Sequence, residues 1–133
     1  YLSTTLFKNA ANPNFIQKIL KVAYPSGVNI NQELINILWK PTQRKGAPEA
    51  FRGFINLFND HLAPDLLNNL NIPVYLIWGE KDPWEPIEEA KQWLKNFECI
   101  KSLDIINDAG HCPHDEMPEK VNPIIKRIIQ EAI

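Results

Sequence analysis

Pro73-Val-Tyr-Leu-Ile-Trp78, running into Gly79-Glu-Lys-Asp82-Pro83-Trp84, is a short apolar run that ends in a turn. A second run of the same kind, Leu103-Asp-Ile-Ile106, leads into Asn107-Asp-Ala-Gly110-His111. Between them Pro86 opens a helical pattern. Glu88 and Glu89 sit in its favourable first turn, and Ala90, Trp93, Leu94 and Phe97 supply a packing side. Strand, helix and strand in this order predict parallel neighbours joined by a right-handed crossover. A closing helix over roughly 118–132 buries Ile124, Ile125, Ile128 and Ile129, with Pro123 disturbing its first turn. Leu66, Leu67 and Leu70 suggest a short helix leading into the first strand.

Parallel strands need helices on both sheet faces, and two strands are too few for an independent layer. The fold class is therefore α/β with an incomplete sheet, to be completed by upstream sequence or by a complementary chain. Tyr1 in place of an initiating Met fits a processed chain or a piece of a longer one.

Residues 1–60 have a different grammar, of helices joined by polar turns. Phe15, Ile19, Leu20 and Ala23 share one apolar face, which Pro25-Ser26-Gly27 interrupts. Leu34, Ile35 and Leu38 form a second face, closed by Pro41. Phe51, Phe54, Ile55 and Phe58 form a third, with Pro48 near its start. Short one-faced helices must pack on something. They read as a helical subdomain or as a cap over a substrate pocket, with 61–133 as the α/β part.

With 133 residues, the chain can bury about two-thirds of its unfolded surface. A net charge of -2 supplies no basic footprint for nucleic acid. The basic stretch Lys40–Lys45 contains Pro41 and reads as a solvated bend. Cys99 and Cys112 form no Cys-x-x-Cys pair and no disulfide framework, which favours a reducing compartment. No apolar run reaches membrane-spanning length, and no secretory signal precedes the first helix.

Ligands of parallel α/β proteins collect beyond the carboxyl ends of the strands, the side on which Asp82 and His111 both fall. Asp82 can accept a hydrogen bond from His111 and fix its tautomer, and His111 can then move a proton to and from a nucleophile. Taken singly, Asp82-Pro83 is an ordinary turn signal and His111 an ordinary local donor. Their paired placement is what points to shared chemistry. The nucleophile itself is missing: Ser3, Ser26 and Ser102 all lack a strand-to-helix elbow.

The stretches Ile77–Pro86 and Ala109–Pro118 resemble the last third of an α/β-hydrolase. Gly110 to Pro123 is similar to the cyanobacterial and plastid pheophytinase-like branch of that family. The resemblance covers roughly 60–133, and extends more loosely over the helical front as the family's cap. It implies Asp82 and His111 as two members of a Ser-His-Asp triad, no cofactor, and a location in a cyanobacterial cytoplasm or plastid stroma. The intact enzyme would hydrolyse a small apolar ester-like substrate, while the isolated chain would lack activity. Alternatives are an Asp-nucleophile haloalkane or epoxide hydrolase, and a non-catalytic or partner-completed fragment.

Several neighbours invite other readings. Trp84 either lines the pocket or packs on the terminal helix, and Trp78 reads as core. Phe54 belongs to the cap core and is a candidate substrate contact. The His111-Cys112-Pro113-His114-Asp115 run lacks a familiar zinc spacing and is not read as a metal site. Cys112 is not placed as a nucleophile, and His114 is the weaker rival of His111. Asp115 and Glu116 cap the following helix or hold the histidine loop.

Overall fold

A computed structural model describes residues 5, 7, 9–56 and 63–132. Ser3 and Phe58 lie outside the described residues, as does the 60/61 boundary between the two expected parts. From Pro13 onward the chain forms α1 (Pro13–Ala23), α2 (Gln32–Thr42) and α3 (Ala47–Asn56). A short α4 (Ala63–Leu67) precedes β1 (Val74–Gly79), α5 (Ile87–Asn96), β2 (Ile100–Ile106), α6 (Pro113–Glu116) and α7 (Pro118–Ala132).

Local chemistry sets the helix ends. Asn12 caps α1 by accepting the Phe15 N–H at 3.0 Å, with Pro13 in the first turn where no amide donor is needed. Asn31 caps α2 through the Leu34 N–H at 2.9 Å. Pro41 closes α2 from inside its last turn, one residue before the end. Pro123 does not break α7, which runs through it. Its ring lies on an exposed face, where one lost backbone bond is small against fifteen helical residues.

The two strands pair in parallel, with Val74 opposite Ile100, Leu76 opposite Leu103 and Gly79 opposite Ile106. A register irregularity falls between Val74 and Tyr75. β2 starts three residues before the expected apolar run, because Ile100 is buried beside Leu67 and Cys99 and brings Lys101 and Ser102 into the ladder. Trp93 of α5 packs on this cluster and meets Trp78 edge-on at 5.7 Å, while the half-buried Trp78 donates its indole N–H to the Glu85 carbonyl. On α7, Val121 fills the space between Ile106, Ala109 and Met117, and Arg127 donates to both Asp104 carboxylate oxygens at 2.6 and 2.7 Å.

Two expectations about burial change. Of the α7 isoleucines, Ile124 packs on the Val121 cluster, whereas Ile125 and Ile129 are 41% and 54% exposed. On α3, Phe51, Phe54 and Ile55 are about half exposed or more, so this face is not closed by the described residues. α1 and α2 do share a core, of Leu20, Ala23, Tyr24 and Ile35.

The strand ends leave no room for side chains. A β-carbon on Gly79 would overlap the Gly110 carbonyl oxygen and sit 2.6 Å from the Ala109 oxygen. Gly53, in α3, has open space around it. Gly79→Ala is therefore expected to destabilise the protein by about 1–3 kcal/mol through overpacking. Gly53→Ala should stabilise it by about 0.5–1 kcal/mol through helix propensity. Urea unfolding midpoints of the two variants, moving in opposite directions, check this.

Candidate active site

Asp82 and His111 meet beyond the carboxyl ends of β1 and β2. The chain leaves β1 in a tight turn in which the Glu80 N–H bonds to the Ile106 carbonyl and the Lys81 N–H to that of Ala109. Two strand ends are thereby sewn together before Asp82 or His111 is reached. A salt bridge from Lys81 to Asp108 at 2.6 Å clamps the same corner, and Asp108 adopts a left-handed φ of 69°.

His111 Nδ1 lies 2.9 Å from Asp82 Oδ2. The other carboxylate oxygen, Oδ1, accepts the Trp84 N–H at 2.9 Å and the Glu85 N–H at 3.1 Å. The Asp82 side chain is only 6% exposed, whereas that of His111 is 40% exposed. Burial by itself would raise the Asp82 carboxyl. The two backbone amides and His111 outweigh it and hold the group below the usual carboxylate range. An acid so held accepts a proton from Nδ1–H poorly, so it can orient the imidazole while keeping its charge.

Trp84 covers the histidine. Its ring meets the imidazole edge-on at 4.8 Å, a third possibility beside the pocket wall and the terminal-helix contact expected for it. Among the described residues His111 Nε2 has no hydrogen-bond partner, which leaves that nitrogen available to a reacting group.

The histidine loop is tied to the helical part. The His111 N–H donates to the Ala23 carbonyl at 2.9 Å, at the end of α1. Glu116 is completely buried, and three donors converge on it. Its Oε1 accepts the Ser26 N–H at 2.9 Å and the Ser26 hydroxyl, and its Oε2 accepts the Gly110 N–H at 2.6 Å. The Tyr24 hydroxyl donates to Asp115, and the Asn29 side-chain amide donates to the Asp115 carbonyl at 2.9 Å. Burial, then the bond to Asp115, pushes the Tyr24 phenol above its usual range, so it stays a donor.

Glu116 thus holds the histidine loop, one of the two roles expected of it. The engagement of Tyr24, Ser26 and Asn29 was not legible, because they lie 86 to 91 residues from their partners. The remaining candidates fall elsewhere. Ser26 is occupied by Glu116 and by the Val28 N–H. Ser102 lies within β2. Cys112 packs on the α1–α2 core, where burial pushes its thiol up, away from a nucleophilic thiolate. His114 is exposed on α6 and does not meet Asp82. Among the described residues no cluster of three or more His, Cys, Asp and Glu side chains could hold a metal. Phe54 lines a cleft with Phe7, Pro41 and Phe51, and Asp82, Trp84 and His111 are not among its lining residues.

This arrangement is that of the C-terminal portion of the α/β-hydrolase fold, and the chain has that fold. The carbazole-degrading serine hydrolase CarC superposes over 90% of the chain and 48% of its own, with a TM-score of 0.80 and 17% identity. In sequence the chain is 27% identical over 130 residues to the chloroplastic pheophytinase of Arabidopsis thaliana, covering 94% of this chain and 26% of that protein. It is 28% identical over 115 residues to the uncharacterized hydrolase YugF of Bacillus subtilis, covering 86% of this chain and 41% of that one. The chain thus spans between a quarter and two-fifths of the curated relatives that it matches. No established protein-family profile matches it.

The depressed Asp82 carboxyl makes stability depend on pH. A carboxyl lowered in the folded state contributes stability that is complete above its unfolded value, about 3.9, and is lost as pH falls through the folded value. The difference in urea midpoint between the protein and Asp82→Asn should shrink as pH falls from about 5 to below about 4. Midpoints measured from pH 7 to pH 3 check this.

Proposed function

We propose that the intact protein is a serine-type hydrolase of ester-like bonds, in which His111 is the general base and acid and Asp82 orients it. The observation that carries this reading is the Nδ1–Asp82 contact at 2.9 Å, with Nε2 left open on a partly exposed ring. A serine supplied by sequence outside this chain attacks the carbonyl carbon, and its proton passes to Nε2. The imidazolium so formed is stabilised by Asp82 through Nδ1–H. Collapse of the tetrahedral intermediate transfers the proton from Nε2 to the departing alcohol. Water then repeats the sequence on the acyl-enzyme, with His111 again as base. Backbone N–H donors outside this chain hold the oxyanion. The chemistry requires no cofactor.

The apolar lining of the helical part supports an apolar substrate, although Asp82, Trp84 and His111 are not among that lining. A cavity of about 510 Å³ between α1 and α3 is lined by Phe7, Phe15, Ile19, Phe51 and Ile55. In this reading residues 1–60 form a cap above the site, Trp84 borders the reacting carbonyl, and Phe54 flanks the apolar portion. No helix among the described residues is long and apolar enough to cross a membrane. The compartment in this reading is a plastid stroma or the cytoplasm of a cyanobacterium, and a chloroplastic relative supports the plastid.

Hydrolysis of p-nitrophenyl acyl esters by the intact protein tests the reading. His111→Ala and Asp82→Asn should each lower kcat by about 10³–10⁴-fold, with the folded fraction unchanged. Turnover at the parental rate in His111→Ala would rule out the assigned roles. An Asp in place of the elbow serine would move the protein to halide or epoxide chemistry. Inactivity of the parent on all acyl esters would favour a non-catalytic or partner-completed protein.

A further inference from the structure

Glu116 is a carboxyl group with no exposed surface, at the last residue of α6. Burying an acid is costly unless every lone pair that faces protein finds a donor. Here the donors come from two distant parts of the chain. Ser26, on the turn after α1, gives its N–H and its hydroxyl to Oε1, and Gly110, beside His111, gives its N–H to Oε2. The carboxyl group is therefore a bridge between the helical part and the backbone that carries the imidazole.

The bridge acts at a point without slack. A β-carbon on Gly110 would overlap the Ala23 carbonyl oxygen and the Pro25 ring, so the two segments are in backbone contact there. The next amide, that of His111, bonds to the same Ala23 carbonyl at 2.9 Å. Gly27 and Asn29, with φ of 72° and 66°, curl the turn so that Ser26 and the Asn29 amide both face the histidine loop. A shift of this turn must move the His111 main chain, and with it the distance from Nδ1 to Asp82.

We propose that Glu116 is a positioning residue, which together with Ser26 transmits the placement of the turn after α1 to the His111 imidazole and so holds it in register with Asp82. The inference rests on the reading of His111 as the proton-transfer group. Glu116 touches no reacting atom. Its effect is on the population of imidazoles aligned with Asp82, which lowers kcat rather than substrate affinity.

The test uses Glu116→Gln and Ser26→Ala in the intact protein. Gln keeps the volume but turns an N–H₂ group toward the Ser26 or the Gly110 amide, where only an acceptor fits. The readouts are the low-field proton resonance of His111 Nδ1–H, assigned by its loss in His111→Ala, and the kinetics of p-nitrophenyl acetate hydrolysis. Glu116→Gln should broaden or shift that resonance and lower kcat by about 10- to 100-fold, with KM within about threefold. Ser26→Ala, at an exposed residue, should act in the same direction and less strongly. An unchanged resonance and kcat in a folded Glu116→Gln variant would overturn the proposal. If that variant does not fold, an unchanged resonance in Ser26→Ala would do so. Because the resonance is read without turnover, full activity in His111→Ala would defeat the hydrolase mechanism while leaving the positioning result to stand or fall separately.

Discussion

Where β1 and β2 end, the backbone of Gly79 passes against the carbonyls of Ala109 and Gly110, and Gly110 in turn passes against Ala23. Three segments distant in sequence meet here at distances that only glycine allows. The placement of Asp82 against His111 hangs from this crossing. The Asp82 turn begins three residues after one glycine and the imidazole one residue after the other, so fixing the crossing fixes the distance between them. The amide bonds of Glu80 and Lys81 to the second strand end reinforce it.

From that fixed corner, each group acquires its property through its neighbours. Asp82 is nearly buried yet keeps a lowered carboxyl, because two backbone amides and an imidazole point at it. His111 is partly open and is flanked by the Trp84 ring on one side and by Asp82 on the other. Glu116 has no solvent-exposed surface, and its three donors bring the turn after α1 into the same network. The helical part is thus joined to the histidine loop by hydrogen bonds and by Cys112, which packs on the α1–α2 core. The α1–α2 cluster and the cluster around Val121 are separate packing units.

Much of this was legible from residues alone. Pro73 to Trp78 and Leu103 to Ile106 carry dense apolar and β-branched residues bounded by turn signals, and both are strands, paired in parallel. The opening of α5 at Pro86 is local chemistry, so its position follows from a few residues. Burial was less legible. The apolar periodicity of Ile125, Ile129, Phe51 and Ile55 marks a face, but a face says nothing about whether its cover lies within the chain. The Ser26–Glu116 bridge was invisible because its partners are 90 residues apart and neither belongs to a patterned element. The one hint was an acidic residue directly before Met117 and Pro118, a place where an unpartnered carboxylate would be costly.

The central claim is that the Asp82–His111 pair serves a nucleophilic serine. Labelling the intact protein with a fluorophosphonate, followed by peptide mass spectrometry, addresses it most directly, since the reagent reacts with a serine only when a neighbouring base activates it. One modified serine is expected, at a Gly-x-Ser-x-Gly turn, with loss of that modification when His111 is replaced by Ala. No modification of the active protein, or modification that survives the loss of His111, would contradict it.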